Sequence, residues 1–170
     1  MEFNQITSQD DYRIEQIYNS YTTSFPEDER RDWAKFVQLF AHSNVKFFSV
    51  SNERENVGYI TLWELSTFTF VEHFEVFIEF RNQQLGSKII NHLKENYTKI
   101  ILEIEPEHLN EDAKRRFSFY QKNGFCLIDD MYIQPSYGEG KNKLELWLLA
   151  NFQPLNINEA KDEIYDIVYH

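Results

Sequence analysis

A chain of 170 residues suits one ordinary domain and is short for two. Its 42% hydrophobic and 16% aromatic content supplies the apolar surface a core needs, which excludes a disordered chain. With 28 acidic against 17 basic residues the formal net charge is -11, and the basic runs Arg30-Arg31 and Lys114-Arg115-Arg116 are flanked by acids. That balance excludes nucleic acid as a general partner and stays compatible with basic or polyamine ligands.

A single cysteine, Cys126, rules out an internal disulfide and a cysteine metal cluster. The five histidines show no ligand spacing, so no metal is expected. Met1-Glu2-Phe3-Asn4-Gln5 lacks the basic and apolar regions of a signal peptide, and no run approaches the ~20 apolar residues that span a bilayer. The expectation is a cytoplasmic protein with no membrane partner.

Residues 3–7 read as a first strand, and Ser8 or Asp10 caps a helix carrying Tyr12, Ile14, Ile17, Tyr18 and Tyr21 at helical spacing. Phe25-Pro26 breaks the chain. Glu27-Asp28-Glu29 then open a second helix, with Trp33, Phe36, Val37 and Phe40 as its apolar stripe and an end near His42. Residues 45–51 and 57–65 form a hairpin joined by a polar stretch, and residues 67–80 continue the meander. After Gly86 the period changes, and Ile89, Ile90 and Leu93 share one face of a helix reaching about Asn96. Residues 100–104 are a continuously apolar strand of the buried kind. A helix over residues 111–123 ends at Gly124 as a left-handed cap, and residues 125–128 open a strand in which Cys126 reads as core. Residues 143–149 supply the last strand. From Asn156 the spacing of Ile157, Ala160, Ile164 and Ile167 predicts a terminal amphipathic helix over residues 156–170. The pattern implies one α/β domain over residues 1–170, with a mixed, mostly antiparallel sheet flanked by helices.

The chemistry concentrates where a strand, Val71-Glu72-His73-Phe74-Glu75-Val76, passes through Arg81-Asn82-Gln83-Gln84-Leu85-Gly86-Ser87-Lys88 into a helix. The first amides of a helix have no internal partners and can cradle anionic phosphate oxygens, and glycine lets backbone approach a ligand closely. This stretch resembles the acetyl-CoA pyrophosphate loop of the GNAT N-acetyltransferases, R/Q-x-x-G-x-G/A. Arg81, Gly86 and Ser87 sit on that pattern, while Gln84 replaces its first glycine. The Gln84 amide can still donate, but its Cβ narrows the available conformations. About 35 residues on, Phe119-Tyr120-Gln121-Lys122-Asn123-Gly124-Phe125 is similar to the family signature F-Y-x-x-x-G-F. An asparagine that family members often carry before that glycine is Ala113 here. Tyr132-Ile133-Gln134-Pro135-Ser136-Tyr137 resembles a Q-P-x-Y loop of small bacterial members with unassigned acceptors. The likeness covers residues 3–149.

The resemblance implies a GNAT fold that binds acetyl-CoA as co-substrate and transfers acetyl directly to a small-molecule or peptide amine. Phosphates would lie on residues 81–88, and the amides of Phe74 and Val76 would hold pantetheine as an added strand. Tyr120 would protonate or hydrogen-bond the departing sulfur. Amine attack needs a base, because an ammonium with pKa near 10.4 is only about one part in a thousand deprotonated at neutral pH. Glu72 takes that role by strand parity. A bulge in this strand would hand the pocket to His73 or Glu75 instead, and a water chain also serves in the family. Residues 25–31 line the acceptor side in this family, and their acids could receive a cationic amine. The alternatives are an acyl-CoA-binding module with little turnover and an interaction domain docking through its last helix. A monomer or homodimer is expected.

Overall fold

The computed structural model describes residues 1–169 as seven strands and five helices. In chain order these are β1 (Glu2–Gln5), α1 (Ile14–Ser24), α2 (Trp33–Gln38), β2 (Val45–Asn52), β3 (Glu55–Glu64), β4 (Thr69–Val76), α3 (Leu85–Asn96), β5 (Ile100–Ile104), α4 (Glu111–Lys122), β6 (Cys126–Gln134), β7 (Leu144–Ala150) and α5 (Ile157–Val168). One sheet orders the strands β1-β2-β3-β4-β5-β7-β6, and β4 with β5 is its parallel pair. The expected mixed, mostly antiparallel α/β architecture is what forms. No described helix is long and apolar enough to cross a membrane.

Two cores sandwich the sheet. Tyr21, Phe36, Phe47, Phe70, Ile101, Leu148 and Ile164 pack on the face covered by α1, α2 and α5. Ile60, Leu62, Ile89, Leu93, Leu102, Phe117 and Phe125 fill the face covered by α3 and α4. β5 serves both, with Ile101 in one core and Leu102 in the other, which explains its continuous apolar run. The last helix is part of this construction: Asn156 caps it by accepting from Asn158 N at 3.0 Å, and Ala160, Ile164 and Val168 are buried. Val168 takes the inward place expected of Ile167, which is only partly buried. Burying a side chain such as Ile164 contributes roughly 1.5–3 kcal/mol.

Several boundaries differ from the sequence reading. α1 begins at Ile14, because Asp11 accepts from the Arg13 amide at 3.0 Å and holds a turn first; Tyr12 precedes the helix and is 88% exposed. Glu27–Glu29 form a 3-10 turn rather than the opening of the second helix. The chain then runs extended through Arg30 and Asp32, because Arg31 is drawn inward: its amide donates to Tyr21 Oη at 2.6 Å. β4 stops at Val76, with a 3-10 turn at Ile78–Phe80 replacing the rest of the expected strand. β6 runs past residue 128 to Gln134 through two register shifts at Asp129. Cys126 is exposed rather than core: Phe125 takes the inward position after Gly124, whose φ of 86° is the expected left-handed cap.

Candidate active site

β4 and β5 pair only from Thr69↔Ile100 to Val71↔Leu102. Beyond that, β4 continues beside β3 and β5 continues beside β7. The gap between them opens into a cleft of about 1090 Å³, walled by residues 71–76 and 102–105 and closed by α1, α3 and α4. β4 therefore turns a backbone edge without a strand partner toward the cleft. Phe74 and Val76, the expected pantetheine residues, lie on that wall with side chains packed toward the α3 and α4 core.

Residues 81–84 carry the chain from the end of β4 to α3. Asn82 and Gln84 have φ of 65° and 60°, so the loop takes the left-handed region twice without a glycine. For Gln84 this conformation costs on the order of 1–2 kcal/mol relative to its ordinary regions. Gln84 O accepts from Lys88 N at 3.2 Å, the first helical bond, which leaves the amides of Leu85, Gly86 and Ser87 open at the helix start. Of the expected phosphate residues, Arg81, Asn82, Gln84, Leu85, Gly86 and Ser87 line the cleft, whereas Gln83 and Lys88 do not. Leu85 is buried in the core and offers only backbone. Gly86 is needed on its inner side: a Cβ there would lie 3.2 Å from the Phe119 ring, so glycine lets α3 approach α4. Arg81 folds back, its Nε donating to Val76 O at 3.0 Å.

On the cleft's other half, β4 carries the bulge on which the choice of acid depended. Thr61 pairs with His73 and the next residue, Leu62, pairs with Val71, so Glu72 is the extra residue. Glu72, His73 and Glu75 all meet partners on the α1 side of the sheet. Glu72 is fully enclosed. Its Oε1 accepts from Arg31 Nε and Tyr137 Oη, both at 2.9 Å, and its Oε2 accepts from Trp63 Nε1 at 2.7 Å. Arg31 Nη2 reaches the same carboxylate at 2.8 Å and donates to Val168 O at 2.6 Å, tying the end of α5 into the cage. Burial would push the Glu72 carboxyl up, but the Arg31 guanidinium, helped by His73, Trp63 and Tyr137, holds it below the usual carboxylate range. A carboxylate so engaged does not suit the base role that strand parity gives it. The Q-P-x-Y loop thus serves this cage through Tyr137.

His73 is also engaged, its Nε2 lying 2.9 Å from Glu29 O. Burial lowers its pKa, so the ring is neutral, and since a carbonyl only accepts, Nε2 carries the proton. Glu75 is different. It is 5% exposed and lines the cleft, and its Oε1 accepts from Ser20 Oγ at 2.8 Å and Ser24 Oγ at 2.5 Å. Its Oε2 is buried. The buried Tyr59 hydroxyl lies against this carboxylate, and burial, followed by the charge and hydrogen bond of Glu75, raises the Tyr59 pKa well above normal.

Tyr120 stands on the opposite wall, on α4, its ring 5.1 Å from Phe119 and 5.7 Å from Phe125. Burial pushes its phenol up to about 12, so it is a protonated donor at neutral pH. Sequence reasoning passed over Ser20, Ser24 and Glu103, all on the cleft wall. The signal for the serines is the four-residue spacing that sets them on one helix face. Glu103 receives Tyr169 Oη at 2.5 Å, and burial raises its pKa to about 8.

Comparison with known proteins converges on the same cleft-bearing fold. The profile of the acetyltransferase (GNAT) domain matches residues 43–127. A solved GNAT-family structure from Bacteroides thetaiotaomicron is 30% identical, with a TM-score of 0.90 over 99% of this chain and 98% of that one. YjbC of Bacillus subtilis (strain 168), which carries an acetyltransferase name, is 27% identical over 158 residues, 89% of this chain and 80% of YjbC. An aminoglycoside 6'-N-acetyltransferase solved in complex with coenzyme A is 14% identical and shares the fold, with a TM-score of 0.64 over 92% of this chain and 100% of that one.

Proposed function

Because the chain belongs to the GNAT acetyltransferase family, we propose that it transfers an acetyl group from acetyl-CoA directly to a primary amine bound beside Glu75. The observation that carries this reading is the separation of β4 from β5 after Val71↔Leu102, which brings an open strand edge, the free amides at the start of α3 and Tyr120 to one cleft. The related fold of the aminoglycoside acetyltransferase holds coenzyme A, which supports a CoA thioester as the donor. The donor's phosphates would meet the amides of Leu85, Gly86 and Ser87, and its pantetheine would extend along Phe74 and Val76.

In this reading the amine nitrogen attacks the acetyl carbonyl carbon, the carbon–sulfur bond breaks, and the nitrogen sheds one proton while the sulfur gains one. Glu75 takes the proton from nitrogen, through water, since Ser20 and Ser24 fix the carboxylate through Oε1 and the Tyr59 hydroxyl is the other group against it. Glu72 keeps the strand and Arg31 in place instead. Tyr120 serves the sulfur. With its phenol at about 12 and an ordinary thiol near 8.5, full transfer to a thiolate is uphill by roughly 5 kcal/mol, so a hydrogen bond that strengthens as charge develops is the favoured form of assistance.

The reading is tested by thiol release from acetyl-CoA over a panel of primary amines. Turnover that needs both substrates supports it. Coenzyme A binding without turnover for any amine would favour the non-catalytic module, the alternative to which Gln84 at positive φ points.

A further inference from the structure

The ladder between β4 and β5 ends at Val71↔Leu102, and the next residue on each strand is a glutamate, Glu72 on β4 and Glu103 on β5. The end of α5 reaches both carboxyls. Val168 O accepts from Arg31 Nη2 at 2.6 Å, and Arg31 Nε donates to Glu72 Oε1 at 2.9 Å. The next residue, Tyr169, donates from Oη to Glu103 Oε1 at 2.5 Å. Two consecutive residues thus tie one helix end to both strands at the point where those strands part.

The position matters because a paired ladder holds strands about 4.8 Å apart, and beyond this rung the ladder no longer does so. β4 stays bonded to β3, through Ile60↔Phe74 and Gly58↔Val76, and β5 to β7, through Glu103↔Leu148 and Ile104↔Trp147. Each half of the sheet is therefore stiff, and the angle between the halves is set by links across the fork. α5 is a firm support for such a link, with Ala160, Ile164 and Val168 buried. Tyr137, from the β6–β7 connection, adds another by donating to Glu72 Oε1 at 2.9 Å, and its ring lies 5.2 Å from that of Tyr169. Two facing carboxylates would by themselves repel and spread the fork. Arg31 compensates Glu72, and the hydroxyls of Tyr169 and of Tyr132 from β6 lie against Glu103, whose other titratable neighbours are Glu72 and Glu29.

We infer that the end of α5 braces the β4–β5 fork, with Tyr169 as a positioning residue whose hydrogen bond to Glu103 holds the acceptor half of the cleft at the width that transfer uses. The kinetic consequence rests on the proposed acetyl transfer, while the brace itself does not.

The test is Tyr169→Phe in the full-length protein, which removes the hydroxyl and keeps the ring beside Tyr137. With a good primary amine kcat should fall about tenfold, because misplacing reacting groups by about 1 Å can cost on the order of a hundredfold, while coenzyme A affinity should stay within about twofold. Glu103→Ala should give a similar loss, and Glu103→Gln, which can still accept from Tyr169, a smaller one. Glu103→Ala combined with Tyr169→Phe should cost no more than either alone. A residue that only anchored α5 would lower the melting temperature and leave kcat unmoved at temperatures well below it. Hydrogen exchange followed by mass spectrometry gives a readout independent of turnover: Tyr169→Phe should speed exchange in residues 72–76 and 103–104 and leave residues 157–164 as protected as in the parent. A parental kcat, losses that add in the double variant, or exchange that rises in α5 alone overturns the brace and leaves acetyl transfer standing. If no amine turns over in the parent protein, the transfer reading fails and exchange decides: faster exchange at the fork supports the brace, and unchanged exchange there overturns it.

Discussion

The wall proposed for the donor draws on two stretches, residues 81–87 and 115–120, whereas the wall proposed for the acceptor gathers Ser20 and Ser24 from α1 and Glu72 and Glu75 from β4, with Arg31 from the extended run before α2, Tyr137 from the β6–β7 connection and Val168 from the end of α5 behind Glu72. The first wall works largely through backbone, as the open amides of α3 and the unpaired edge of β4. The second works through side chains, and the proposal divides its acids between tasks: Glu72 holds five pieces of chain together, while Glu75 is the one assigned to the proton. Two carboxylates three residues apart on one strand thus differ in role because of one bulge and the partners it brings.

That division predicts different failures. Glu72→Gln leaves the buried Arg31 without its counter-charge and should cost about 3–5 kcal/mol in denaturant unfolding. A variant that unfolds like the parent yet loses turnover would return the base role to Glu72 and erase the contrast. A second effect comes from Glu103, whose pKa is about 8 when folded against 4.5 when exposed. Because the folded value is raised, the folded protein binds the extra proton between those limits, so stability should fall as pH rises from about 4.5 to 8, by a few kcal/mol. Glu29, raised to about 7 by burial and then Glu105, adds a smaller, solvent-screened share in the same direction. Glu103→Gln should flatten most of that slope, and an unchanged slope would remove Glu103 as its source. The lowered pKa of Glu72 acts in a separate window, its stabilisation being lost as pH falls below the ordinary carboxylate range.

Effects on the donor wall should be kinetic and smaller. Tyr120→Phe should lower kcat at least about tenfold while leaving coenzyme A affinity nearly unchanged, since ring packing survives. A parental rate would make Tyr120 a packing residue alone. Smallest of all, Gln84→Gly removes left-handed strain but adds freedom to the unfolded chain, so stability should shift by less than about 1 kcal/mol and coenzyme A affinity should hold or improve. Weakened binding would mean that the Gln84 side chain touches the ligand.

The residues proposed for the donor could be picked out because their signals are local: Gly86, Tyr120 and Gly124 stand within a few residues of their motif neighbours, and Gly86 and Tyr120 line the cleft. Periodicity likewise read α3, β5, α4 and α5 nearly to their ends. The acceptor half was not legible in this way, for a physical reason. Arg31 looked like part of a surface basic run, and only the distant Glu72, Trp63 and Val168 make it a buried cation. Strand parity pointed to Glu72, but parity fails across a bulge, and nothing local marks Val71–Glu72–His73 as bulged. The 3-10 turn at Glu27–Glu29 was hidden similarly, because long-range bonds to Tyr21 and His73 overrode the helix-start signal of three acids.

The central claim is that Glu75, not Glu72, receives the proton, and Glu75→Gln tests it most directly. Glutamine keeps the shape and can still accept from Ser20 and Ser24, so coenzyme A affinity and melting temperature should stay close to the parent. The account predicts that kcat with a good amine falls by at least about a hundredfold, with activity partly restored at higher pH as free amine replaces ammonium. Turnover at the parental rate in Glu75→Gln would contradict it.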